Sequence, residues 1–238
     1  MDTRHNLRSL KKLQSRLVSI FRGGANWGSE ISLPETGFGD DFYKSIPIFI
    51  NNRDLLEWPK KLVEFLTQAG YNEITIIDND STYPPLLRYY EETSVTVHEL
   101  GRNLGLRALF DCGILDSPKY SNRMYVYTDS DCIPALNCPT DFLRRFHQIL
   151  INHTEIPKAG FSLCAWNWAH HWWEVEAGYF SNRIGDYAYA APIDTTFALY
   201  RNSVRSYCVG GYRTTHPYLC RHMPWELLRV SLDEQPED

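Results

Sequence analysis

Between residues 45 and 129 the chain alternates short apolar runs with stretches of helical periodicity, and that alternation restricts the fold more than any other feature. "IPIFI" (46–50), "EITIID" (73–78), "SVTVHEL" (94–100) and "MYVYTD" (124–129) each have the length and character of a strand. Between them lie a helix from Trp58 to Ala69 stopped by Gly70, a helix after Pro84-Pro85, and a helix over Leu104 to Leu115. Strands and helices in strict turn imply right-handed crossovers, and so a mostly parallel central sheet flanked by helices. The expected class is α/β and Rossmann-like. In such sheets ligands collect at the carboxyl ends of the strands, so the polar residues just past those ends carry the functional information.

Four strand ends carry such residues: Asn51-Asn52-Arg53, Asp78-Asn79-Asp80-Ser81, Gly101-Arg102-Asn103 and Asp129-Ser130-Asp131. Each alone can be turn or cap chemistry, and for Ser81-Thr82 helix capping is the better account. Four together describe a cleft suited to a nucleotide. The last of them, within "RMYVYTDSDCIP" (123–134), sets two carboxylates one residue apart on a turn that ends at Pro134. Such a pair either caps a strand end or faces one hard cation, Mn²⁺ or Mg²⁺. The sequence has neither G-x-G-x-x-G nor G-x-x-x-x-G-K-[ST], so a diphosphate in this cleft needs another source of positive charge. A divalent ion on Asp129 and Asp131 supplies it, and Arg107, Arg201, Arg213 and Arg221 are candidates for further phosphate contact.

With 238 residues, 43% of them apolar, the chain can bury a sizeable core, and its formal charge of −5 argues against a nucleic-acid surface. The six cysteines form no C-x-x-C pair and read as small core residues of a reducing compartment. No run of about twenty apolar residues and no apolar signal core are found, which leads us to expect a cytoplasmic protein. Residues 1–22 place Leu7, Leu10, Leu13, Leu17 and Phe21 at helical steps among Arg8, Lys11, Lys12 and Arg16. This basic amphipathic helix suits either peripheral contact with an anionic membrane or packing on the domain. Residues 23–44 read as a linker, giving an expected division into 1–44 and a domain at 45–238.

The motifs "IPIFINNRD", "ITIIDNDST", "LGRNLG", "YVYTDSDCIP", "APIDTTFALYR" (191–201) and "RHMPWE" (221–226), taken in order, resemble the nucleotide-sugar-dependent glycosyltransferases of the GT-A fold, in particular the bacterial-type, family-2-like enzymes of polysaccharide assembly. The resemblance spans residues 45–226. It implies that Asp78 and Asn79 meet the base, that Asn103 lies near the nucleotide, that Asp129 lies by the ribose and metal, and that Asp131 ligates the metal directly. It further implies that His222 is a third metal ligand, closing the site from the C-terminal side; Glu226 stands where the family usually has Tyr.

The activity so implied is metal-dependent transfer of a sugar from a nucleoside-diphosphate sugar, a UDP-sugar foremost, to a hydroxyl of a saccharide or glycoconjugate. An acceptor hydroxyl needs a base, and Asp194, Glu174 and Glu176 compete for that role. The aromatic segment 160–180, "GFSLCAWNWAHHWWEVEAGYF", suits sugar faces as well as it suits a lid or an oligomer contact. A sugar nucleotidyltransferase is the alternative enzyme class, although "NNRDLLEWP" supplies no glycine-rich loop, and a non-catalytic carbohydrate-binding module is the alternative without chemistry.

Overall fold

In a computed structural model, which describes residues 41–164, 170–206 and 210–223 with the side chains of 170–173 set aside, the four apolar runs form β1 (Ile48–Asn52), β2 (Ile74–Asp78), β3 (Thr96–Glu99) and β4 (Tyr125–Asp129). All of these residues belong to one unit of the chain, Phe38–Asp238. The amphipathic segment 1–22, the linker up to residue 40, and Trp225 and Glu226 lie outside the described residues. Tyr43, at the end of the expected linker, is buried in the core beneath a short 3-10 turn, Phe42–Ser45.

The four strands run parallel in the order β3-β2-β1-β4. Alternate residues of β1 enter different cores: Ile48 and Ile50 face one, Phe49 the other. A strand buried on both faces needs apolar residues at every position, which is why "IFI" reads as an unbroken run. The first core is covered by α1 (Glu57–Gln68), through Leu62, Val63 and Leu66, together with the later helix at Phe142–Asn152. The second is closed by Ala108, Leu109, Leu115 and Tyr120. Most of the described aromatic load is spent in these cores, as in the stacked rings of Tyr125 and Tyr200, 5.3 Å apart.

After β2, the expected helix α2 (Pro84–Glu92) forms but takes in both prolines as its first two residues, where their missing N–H groups cost nothing. The expected single helix over Leu104–Leu115 is broken into a 3-10 turn at Gly105–Arg107, a one-turn α3 (Ala108–Asp111) and a 3-10 turn at Ile114–Asp116. Gly105 and Gly113 stand at φ +60° and +80°, which interrupts helical continuity at both points.

Beyond β4 the architecture departs from a mostly parallel sheet. Strands β5 (Cys132–Pro134), β6 (Lys158–Gly160), β7 (Ser162–Leu163), β8 (Arg183–Ile184), β9 (Ala188–Ala190), β10 (Ala198–Tyr200), β11 (Tyr212–Thr214) and β12 (Leu219–His222) are short, with α4 (Phe142–Asn152) and α5 (His170–Tyr179) among them. The main sheet has the order β3-β2-β1-β4-β10-β6-β11-β9-β8. Strand β10 runs antiparallel to both β4 and β6, and β9 runs antiparallel to β11 and β8. Among the described residues of this sheet, β6-β11 adds one more parallel pair. The sheet is therefore mixed: parallel pairing holds through the N-terminal half and is shared with antiparallel pairing in the rest. A second sheet, β5-β12-β7, stands beside the end of β4. Gly160 lets β6 and β10 approach, since a Cβ there would lie 2.5 Å from the Phe197 carbonyl oxygen.

Candidate functional site

Parallel registration brings the four polar strand ends to one level: Asn52 opposite Asp78, Asp78 opposite Glu99, and Asn51 opposite Asp129. Two loops leaving this edge are tied together by Asp54, whose Oδ1 accepts the backbone N–H groups of Thr82 and Tyr83 while its own N–H donates to Ser81 Oγ. The expected capping of α2 by Ser81-Thr82 is not formed: the N-cap residue is Tyr83, with no side-chain cap bond, and the Asp54 carboxylate holds the turn just before the helix. Asp54 and Asp80 both take positive φ, at 53° and 67°, a conformation that Asp tolerates better than most residues.

The polar residues of β1 and β2 are largely engaged with one another. Asp78, almost wholly buried, accepts the Tyr90 hydroxyl at Oδ1 (2.9 Å) and the Ser81 N–H at Oδ2 (3.0 Å). Asn52 Nδ2 donates to Tyr90 Oη (2.8 Å) and to the Leu55 carbonyl. Asn79 holds the next turn from both sides, accepting Leu104 N–H at 2.6 Å and donating to the Gly105 carbonyl, which Asn51 Nδ2 also reaches. Asn103 Oδ1 accepts the Gly105 N–H. Asn51, Asn79 and Asn103 therefore converge on one turn, residues 103–105, and Tyr90, which the sequence did not single out, pins Asp78 and Asn52.

At the end of β4, Asp129 receives the Thr195 hydroxyl on Oδ2, and its N–H donates to the Thr195 carbonyl. Burial, with the nearby charges of Asp131 and Asp194, pushes its pKa up to about 7 against the hydrogen bonds from Thr195 and Asn51. Ser130 is buried and donates its N–H to the Asn51 carbonyl. The chain then folds back into β5, whose antiparallel partner β12 sets His222 directly opposite Cys132. That register carries the imidazole to Asp131, with Nε2 3.5 Å from Oδ1, and a backbone bond from Met223 N–H to the Asp131 carbonyl fixes the junction. Asp131, Cys132 and His222 offer ligand atoms within 4.8 Å of one another. Asp129 stands outside that group.

The three candidate bases occupy different environments. Asp194 is exposed, and Thr196 donates both its N–H (2.9 Å) and its hydroxyl (2.6 Å) to Oδ1. The atoms packed around Asp194 act to raise its pKa, but the Thr196 hydrogen bonds and the charges of Arg213 and His222 outweigh them and hold it below the usual value. Its backbone carbonyl accepts the ammonium of the fully buried Lys158, which also donates to Tyr200 Oη, both at 2.9 Å. Glu176 is buried against Arg213; burial raises its pKa and the guanidinium pulls it back. Glu174 lies on the exposed side of α5.

Of the arginines considered for phosphate, Arg107 forms a fork with Asp111 one helical turn away, and Arg201 donates to the carbonyls of Leu150, Ile156 and His153 at the end of α4. Arg213 serves Glu176 and the Pro192 carbonyl, and Arg221 is exposed on β12. Four cysteines (Cys132, Cys138, Cys164 and Cys220) are buried, as expected of core residues; Cys112 is half-buried and Cys208 lies outside the described residues. Among the described residues no helix is long and apolar enough to cross a membrane. No protein-family model matches the chain, and a search of curated proteins gives no match.

Proposed function

We propose that the chain has a GT-A-type fold and is a metal-dependent glycosyltransferase, moving a sugar from a nucleoside-diphosphate sugar to a hydroxyl of a saccharide or glycoconjugate. One observation carries this reading: Asp131, on the turn between β4 and β5, and His222, on β12 far along the chain, meet 3.5 Å apart beside a row of four parallel strand ends furnished with Asn and Asp side chains. A carboxylate with an imidazole is a donor set that fits Mn²⁺ or Mg²⁺, with Mn²⁺ the better match to the nitrogen. Asp131 and His222 would hold the ion, with Asp129 one residue away on the same turn. When bound, it supplies the positive charge that a missing phosphate loop leaves wanting, and it stabilises the departing nucleoside diphosphate.

The chain's own residues do the rest. Asn51, Asn79 and Asn103 brace the 103–105 turn as a floor for the nucleoside. Asp194 is the base we favour, because Oδ1 is taken by Thr196 and no hydrogen bond from the described residues reaches Oδ2, which is open to an acceptor hydroxyl. Lys158, bonded to the Asp194 carbonyl, fixes the loop that carries it. Nucleoside diphosphate release, followed across a panel of sugar nucleotides with a saccharide acceptor, tests the proposal. Release that needs Mn²⁺ or Mg²⁺ and stops with chelator is expected. Nucleotidyl transfer, or sugar binding with no turnover on any donor, would overturn it.

A further inference from the structure

Cys132 has no part in a hard-cation site, yet its side chain belongs to the same cluster. Residues directly opposite on antiparallel strands project to one face, so the pairing of Cys132 with His222 sets thiol and imidazole side by side. Asp131 Oδ1 lies 3.9 Å from Cys132 Sγ and 3.5 Å from His222 Nε2. Zinc-ligand bond lengths in a tetrahedron require O···S and O···N edges of about 3.6 and about 3.4 Å, whereas cis ligands on an octahedral Mg²⁺ stand only about 3.0 Å apart. The observed separations lie nearer the tetrahedral values. The widest separation the three ligand atoms can have, 4.8 Å, exceeds a tetrahedral edge by about 1 Å, within reach of a side-chain rotation.

We propose that Asp131, Cys132 and His222 form a binding site for a thiophilic divalent ion, Zn²⁺ foremost, with a fourth position left to water. On binding, the thiol proton passes to solvent as the metal-sulfur bond forms, and the ion exchanges three of its waters for oxygen, sulfur and nitrogen. Cys132 is fully buried while the Asp131 and His222 side chains retain 14% and 19% of their exposure, so the ion enters from the cleft and rests on the thiolate. Thiolate and imidazole favour Zn²⁺ over Mn²⁺ and Mg²⁺ both by softness and by the general affinity order of divalent metals. The site shares Asp131 and His222 with the proposed transferase but does not depend on that activity. If both hold, Zn²⁺ displaces the transferring ion and inhibits.

Titration of the reduced, metal-free full chain with Co²⁺ reads the site without any sugar nucleotide. Wild type is expected to develop a thiolate-to-cobalt charge-transfer band with intense tetrahedral d–d absorption, saturating at one equivalent. Stoichiometric Zn²⁺ removes these bands, and Mn²⁺ does so only at about 100-fold or greater excess. Cys132→Ser should abolish the charge-transfer band and weaken Zn²⁺ by at least ~10-fold, His222→Ala should weaken both ions, and Cys112→Ser should change neither. No band in wild type, or a band that survives Cys132→Ser, overturns the site. Should Cys132→Ser fail to fold by circular dichroism, His222→Ala decides: a band unchanged in strength and affinity there refutes it. Transfer without the band would discard the zinc site and keep the transferase; the band without transfer would do the reverse.

Discussion

Replacing Glu176 by Gln separates a structural carboxylate from a reacting one, because the two roles predict opposite outcomes. The Glu176 and Arg213 side chains retain only 12% and 7% exposure, and Glu176 is the carboxylate that bonds the guanidinium: Nε bonds the Pro192 carbonyl at 2.6 Å, the Tyr179 ring lies 5.5 Å away, and Asp194 also feels the Arg213 charge. Taking one partner from a buried pair leaves the other charge uncompensated, at a cost of about 3 kcal/mol. For a domain of this size each kcal/mol lowers the melting temperature by about 2–4 °C, so the expected fall is about 6–12 °C. Leucine at both positions should recover part of the loss, since it removes the stranded charge. Thermal denaturation by circular dichroism reads the first effect, and transfer by the folded protein well below its transition reads the second. Substantial turnover should remain. A melting temperature equal to wild type combined with abolished transfer would refute the reasoning and make Glu176 the base.

Other expectations follow from single contacts. Asp129 has a folded pKa of about 7, above its ordinary 3.8, so its contribution to apo stability is fully present below about pH 4 and is lost as pH rises through about 7. Asp129→Asn should therefore raise the apo melting temperature more at about pH 8 than at about pH 5, and an equal change at both pH values would contradict the shift. Tyr90→Phe leaves Asp78 Oδ1 and Asn52 Nδ2 each short of a partner and should cost about 1–3 kcal/mol in urea denaturation. In Gly160→Ala the new methyl meets Phe197 O at 2.5 Å and Ala198 Cβ at 2.7 Å, which should cost about 1–3 kcal/mol or more because β10 is held on both sides. Truncation to begin at Ala25 should keep turnover on a soluble acceptor and lose binding to anionic vesicles; loss of turnover in a still-folded protein would join residues 1–22 to the catalytic unit.

Of the strands that position the cleft, β1, β2 and β4 were legible because they are buried on two faces, and β3, a half-exposed edge strand, because Val95, Thr96 and Val97 still make a β-branched run; all four fall within the apolar runs or a residue or two beyond them. The later strands have two to four residues, too few for a period to declare itself, and strand direction depends on connections that composition does not record. The insertion of β10 between β4 and β6 had no local signal for that reason. Glycine effects were read one way at Gly70, which ends α1 with φ +86°, and missed at Gly105 and Gly113, where the same conformational freedom divides a helix. Within the site, the Asp pair was plain, and the motif resemblance brought in His222. What the sequence hid was pairing: Tyr90 on Asp78, Thr195 on Asp129, Arg213 on Glu176 and Lys158 on the Asp194 carbonyl all join residues from different elements. Cys132 was visible beside Asp131, but only the register with His222 turns that adjacency into a ligand set.

Binding of UDP by wild type and Asp131→Ala, measured by calorimetry with Mn²⁺ and again with chelator, bears most directly on the claim that this carboxylate turn receives a diphosphate through a cation. Asp131 is a part-exposed turn residue rather than a core one, so the variant should keep a melting temperature close to wild type. Wild type is expected to bind UDP with Mn²⁺ and to lose most of that affinity with chelator, while Asp131→Ala with Mn²⁺ falls at least ~100-fold, a difference of about 2.7 kcal/mol. Equal affinity in the two proteins, or wild-type binding that chelator leaves unchanged, would contradict the account.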